Sequence, residues 1–72
     1  MYIVTELQTN GEVTAVLNDT FTDRGLALQK YHTILAAAAV SQVEVHTAFI
    51  VNEIGTVEYR ETFDRRNISK EI

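Results

Sequence analysis

The stretch Tyr31–Gln42, YHTILAAAAVSQ, constrains the fold more than any other part of the chain. Within it a helical spacing of apolar residues ends, and from Val43 a two-residue alternation begins. Its small residues, Ala36 to Ala39, let a helix lie close against a sheet, while Tyr31, Ile34 and Leu35 supply buried mass. The stripe reaches back through Leu28, with Ala27 and Ile34 widening it and Ala38 closing it. Arg24, Gln29, Lys30 and Thr33 fall largely on the other side. The pattern predicts a helix from about residue 23 to 39, ending near Ser41. Thr22 is the expected N-cap, Asp23 suits the positive helix end, and Phe21 and Leu26 stand at staple spacing. Gly25 in the first turn is a local weakness of about 1 kcal/mol against alanine.

Two hairpins flank this helix. Residues 2–8 and 12–18 are rich in β-branched side chains and are separated by Thr9-Asn10-Gly11. A two-residue Asn-Gly turn would set Leu7 beside Thr14. A three-residue loop with Gly11 left-handed sets Leu7 beside Val13 and Ile3 beside Leu17, one coherent apolar face, and is the expected register. After the helix, Val43, Val45, Thr47, Phe49 and Val51 alternate with Glu44, His46, Ala48, Ile50 and Asn52. Glu53-Ile54-Gly55 repeats the three-residue logic, placing Val57, Tyr59 and Phe63 in phase with Val51, Phe49 and Val45. Residues 64–72 lose the alternation and read as a tail. The expected fold is α+β, in the order ββαββ: a single domain over 1–63 whose four-stranded antiparallel sheet carries one helix on one face.

One helix covers one side of such a sheet. In these registers the uncovered side carries Tyr2, Val4, Glu6, Thr14, Val16, Glu44, His46, Ala48, Ile50, Glu58, Arg60 and Thr62. Tyr2, Val4, Val16, Ala48 and Ile50 would form an apolar centre with Glu44, His46 and Arg60 in its rim, the composition of an interface. Seventy-two residues give a core near the lower limit for independent stability. A homodimer through this face is therefore expected, with Val4, Val16, Ala48 and Ile50 central.

Charge and chemistry narrow the function further. Ten acidic against six basic residues give a net charge of −4, which argues against nucleic acid, whose affinity comes from neutralised phosphates. Arg65-Arg66 is flanked by Glu61 and Asp64. No apolar run approaches the roughly 20 residues of a membrane span. The chain has no cysteine, and two histidines cannot complete a structural zinc site, so neither metal nor cofactor is expected. His32 and His46 fall on opposite sides of the sheet, and no phosphate-binding glycine loop or nucleophile elbow occurs. The longest irregular connection is too short to wall a cleft around Glu6, Glu44 and Glu58. A non-enzymatic cytoplasmic protein is expected.

Lys30 to Gly55, KYHTILAAAAVSQVEVHTAFIVNEIG, and the opening Met1 to Gly11, MYIVTELQTNG, resemble small uncharacterised proteins of phages, prophages and other mobile elements of gut Firmicutes. The resemblance covers about half the chain and is most specific over Lys30–Ser41. It implies a bacterial or phage cytoplasmic setting and carries over no catalytic residue. The expected function is that of an accessory factor that binds another protein, its sharper form being inhibition of a host system. One alternative is sequestration of a nucleotide or metabolite, with Arg60 as anion contact and Tyr2 or His46 stacking. The other is a structural part of a virion or conjugative apparatus.

Overall fold

A computed structural model describes residues 1–66. Its elements are β1 (Tyr2–Asn10), β2 (Val13–Phe21), α1 (Arg24–Ala39), β3 (Val45–Asn52) and β4 (Val57–Asp64). The strands form one antiparallel sheet in the order β2-β1-β3-β4. Strands β2 and β3 therefore both oppose β1, and the helix between them crosses over it. This is the expected ββαββ arrangement. The tail expected from residue 64 begins later: Asp64 is the last residue of β4, and residues 67–72 lie outside the described part.

The helix is capped one residue later than expected. Asp23, not Thr22, takes the extended N-cap conformation, and its Oδ1 accepts from the amides of Gly25 (2.7 Å) and Leu26 (3.3 Å). A carboxylate there also faces the positive end of the helix dipole. At the other end Arg65 reaches across: its Nη2 donates to the Ala38 carbonyl at 2.5 Å and its Nη1 to the Val43 carbonyl at 3.1 Å. Its guanidinium also stacks on Phe63, 5.8 Å from the ring centre. A cation far along the chain thus closes a helix end that has no basic residue in its own last turn.

The first hairpin takes neither expected register. Asn10 pairs with Val13, leaving a two-residue loop of Gly11 and Glu12. Gly11 has φ +61° and no other residue type in the described chain has positive φ, so the turn is of the kind with glycine first, II′. The position of Asn10 explains the choice. Its Oδ1 accepts from the Glu44 amide at 3.1 Å, while the Gly11 amide donates to Glu44 Oε1 at 2.7 Å. Leu7 consequently meets Val16 rather than Val13. The displacement is odd, so the two strands exchange relative faces.

The second hairpin has the expected three-residue loop ending on Gly55, φ +88°, with Val51 opposite Val57. Asn52 Oδ1 holds it by accepting from the amides of Ile54 (3.1 Å) and Thr56 (3.0 Å). A bulge then shifts the register between Ile50 and Val51, so Tyr59 faces Ile50 and Arg60 faces Phe49. The expected Phe49–Tyr59 pairing does not form.

The core lies between α1 and the central strands: Val4, Ala27, Tyr31, Ile34, Ala48 and Ile50, with Tyr2, Phe21, Leu28 and Leu35 packed against it. Ala27, Ala38 and Ala48 are fully buried and mark where the helix lies close to the sheet. Of the run Ala36 to Ala39 expected to make that contact, only Ala38 does, and Ala36, Ala37 and Ala39 are exposed. Tyr31 packs on Tyr59 with ring centres 5.8 Å apart. Burial pushes the Tyr31 phenol above its usual 10.0, and the nearby Glu61 and then Tyr59 push in the same direction. A raised folded value favours the neutral phenol, so its contribution is complete below pH 10.0 and is lost as pH rises through the folded value. Tyr31→Phe is therefore expected to flatten the alkaline decline of stability, measured by denaturant titration above about pH 10; an unchanged slope would show that Tyr31 does not ionise with unfolding.

Candidate binding surface

The registers define which side chains share a face, because directly opposed residues point the same way. On the side away from α1 the rows run across β2, β1, β3 and β4. They are Thr20–Ile3–Val51–Val57, Asn18–Thr5–Phe49–Arg60, Val16–Leu7–Thr47–Thr62 and Thr14–Thr9–Val45–Asp64. Among the described residues no element packs on this side. The apolar members Ile3, Leu7, Val45, Phe49 and Val51 occupy the two central strands, and Val16 and Val57 on the edge strands are more than half exposed.

Six of the polar members of these rows are paired with each other. Thr5 Oγ1 donates to Asn18 Oδ1 at 2.8 Å, Thr9 and Thr14 share a hydrogen bond at 2.8 Å, and Thr47 and Thr62 share one at 3.1 Å. A protein that covered this face would strip water from hydroxyls that already have partners, so desolvation would leave few orphaned donors. The charges are sparse. Arg60 stands opposite Phe49, and Asp64 in the end row is bound by Arg66 Nε at 3.2 Å. Glu58, at the bulge, approaches Arg24 of the helix at 3.8 Å instead. In a chain with ten acidic residues, a sheet face with one carboxylate at its margin is a selective omission.

The structure moves several expected interface residues to the opposite side. Val4, Ala48, Ile50 and His46 are 1%, 0%, 2% and 3% exposed; they lie beneath the helix and present nothing to a partner. Tyr2 packs against the same core. Glu44 is exposed but serves the first turn through Gly11. Val16 and Arg60 do lie on the open face. The residues that sequence reasoning assigned to the core, Ile3, Leu7, Phe49 and Val51, are the ones left uncovered. A signal did exist. Ala48 is the one small residue in β3 that a close-lying alanine helix can accept, and it fixes the phase of that strand.

His46 illustrates what the inner face requires. Its Nε2 lies 2.5 Å from Glu6 Oε2, which also accepts from Gln8 Nε2 at 2.8 Å, and its Nδ1 is buried without a partner. Arg60 and His46 are thus on opposite sides of the sheet, and the ligand-binding trio of Arg60, Tyr2 and His46 is not assembled. No group of three metal-binding side chains occurs among the described residues, and no helix among them is long and apolar enough to cross a membrane. Beside the helix an open cleft of about 270 Å³ separates α1 from β2, lined by Val4, Glu6, Leu17, Asp19, Lys30 and Ile34 among others. Comparison with protein-family models, curated proteins and solved structures finds no match.

Proposed function

We propose that the protein is a non-enzymatic binding module, a homodimer that engages another protein through the open face of its sheet. The observation that carries this reading is the central apolar set Ile3, Leu7, Phe49 and Val51, beside Thr5, Thr9, Thr14, Thr47 and Thr62, whose hydroxyls are already paired. An antiparallel sheet facing water ordinarily alternates to polar residues on that side; here the bulkier alternation faces outward. Arg60 beside Phe49 favours a partner that brings a carboxylate to the edge of an apolar patch. The resemblance of Lys30–Gly55 to proteins of phages and mobile elements supports a bacterial cytoplasmic setting, with inhibition of a host system as the sharper form. The one buried His–carboxyl pair is engaged under the helix, which favours binding over catalysis.

Phe49→Glu tests the surface. Its new carboxylate faces Arg60 in the free protein, so the fold is expected to survive, with less than about 1 kcal/mol lost. Affinity capture from host cytoplasm should recover a stoichiometric partner with the wild type and with Leu26→Glu, a change at a half-exposed helix position. The same partner should be lost with Phe49→Glu. Recovery by all three proteins would reject the open face as the docking surface.

A further inference from the structure

We propose that two copies of the chain join edge to edge along β2, forming one continuous eight-stranded sheet, and that this junction enlarges the binding face. The inference rests on the reading of the open face given above and assigns its assembly.

Among the described residues β2 and β4 are the two unpaired edges of the sheet, and they differ in protection. Strand β4 carries Glu58, Arg60, Glu61 and Asp64 and is bent by the bulge beside Ile50, both devices that discourage strand addition. Strand β2 has neither. Over Val13–Phe21 its only charge is Asp19, held by Lys30 at 3.4 Å, and nearly the whole strand is exposed. Leu17, on the helix side beside the open cleft, is 51% exposed. For a chain of net charge −4, β2 is where a second copy meets least repulsion.

The backbone of β2 is set for this. A two-residue loop closes on a hydrogen-bonded pair, here Asn10 and Val13, and such pairs alternate along an antiparallel ladder. Thr14, Val16, Asn18 and Thr20 therefore turn their amides and carbonyls outward. The close side-chain contacts Thr9–Thr14 and Thr5–Asn18, both 2.8 Å, are those of the non-hydrogen-bonded pairs this alternation requires. An antiparallel partner β2 centred on Leu17 overlaps the full strand. It opposes Leu17 to its own copy, Ala15 to Asp19 and Val13 to Phe21, with no like charges face to face.

The junction also enlarges the binding face. Four strands about 4.8 Å apart and about 26 Å long give a flat outline of roughly 500 Å². Two sheets joined at β2 double it on one side, since a two-fold axis normal to the sheet keeps both helices together on the other.

Sedimentation equilibrium of the full chain tests the junction. The wild type is expected to dimerise at concentrations on the order of tens of micromolar. Leu17→Lys sets two cations against each other at the axis and should weaken the dimer at least about tenfold. Ala15→Glu, facing Asp19 of the other copy, should weaken it, whereas Ala15→Lys should preserve or tighten it; this charge dependence is specific to the register. Phe49→Glu should dimerise like the wild type. Circular dichroism confirms that each variant is folded, and the two Ala15 variants at an exposed site decide the matter if Leu17→Lys does not fold. A monomeric wild type, or a dimer indifferent to all three β2 changes, would overturn the edge pairing. So would a dimer abolished by Phe49→Glu alone, which would mean that the sheets pack face to face. Loss of partner capture by Phe49→Glu in a still dimeric protein separates the failure of the edge from the failure of the face.

Discussion

Ile50→Glu is expected to leave no stably folded protein. Ile50 is 2% exposed, opposite Val4 on one side and Tyr59 on the other, in the centre of the core under the helix. Truncating a buried isoleucine already costs about 2–5 kcal/mol, and taking a carboxyl group out of water among apolar side chains adds a desolvation penalty. A domain of this length has a total stability of roughly 4–11 kcal/mol at about 0.05–0.15 kcal/mol per residue. Circular dichroism should show loss of the helix, with no cooperative denaturant transition. A variant that unfolds within about 1 kcal/mol of the wild type would place Ile50 on the surface and reverse the two faces of the sheet.

The second large effect is expected at His46, and it depends on Glu6. The Glu6 side chain is 16% exposed and that of His46 only 4%, so each lies mostly out of water and relies on the other. His46→Leu keeps the volume but removes the nearest donor to the carboxyl group. Breaking one member of a buried pair costs about 3–5 kcal/mol where nothing replaces it; with Gln8 still donating at 2.8 Å, the lower end is expected. The double variant Glu6→Met, His46→Leu should recover most of that loss, because replacing both partners by apolar groups leaves nothing unpaired. A double-mutant cycle by chemical denaturation reads the coupling directly. Strictly additive losses would show that the two side chains act independently. The pair also specifies register. Gln8 opposes His46 and Glu6 opposes Ala48, and a one-residue slip between β1 and β3 would send one of the two to the far side of the sheet.

That same polar cluster explains where reading the chain alone went astray. The element order, the helix, the left-handed glycines at 11 and 55 and the three-residue second loop follow from local signals: helical spacing, alternation and the positive φ that glycine alone adopts easily. The face assignment does not, because β1 and β3 are apolar on both sides. Ile3, Leu7, Phe49 and Val51 form the bulkier alternation and so resemble a core. Tyr2, Val4, Ala48 and Ile50 share theirs with Glu6, Gln8 and His46, which looks like a surface until Gln8 and His46 are seen to meet on the Glu6 carboxyl group. Two further determinants are tertiary. The first turn is set by the grip of Asn10 and Gly11 on Glu44, more than thirty residues away. The bulge beside Ile50 turns Tyr59 inward to meet Tyr31 and Arg24, whose Nη2 donates to the Tyr59 hydroxyl at 2.7 Å. Arg65 belongs with these, since a residue that reads as part of a charged tail closes the helix. The open face thus comes to light only through the pairing, and the proposed binding role depends on it.

The most direct test uses the absence of cysteine from the chain, which makes any introduced thiol the sole reactive site. Single variants Phe49→Cys and Ile50→Cys are neighbours in sequence and differ only in face. Under native conditions a maleimide reagent should modify Phe49→Cys, at a half-buried position, without unfolding, and Ile50→Cys, at a position 2% exposed, only as fast as the protein opens. Rapid labelling at position 50 with protection at position 49 would contradict the account, since the sheet would then carry its helix on the other side.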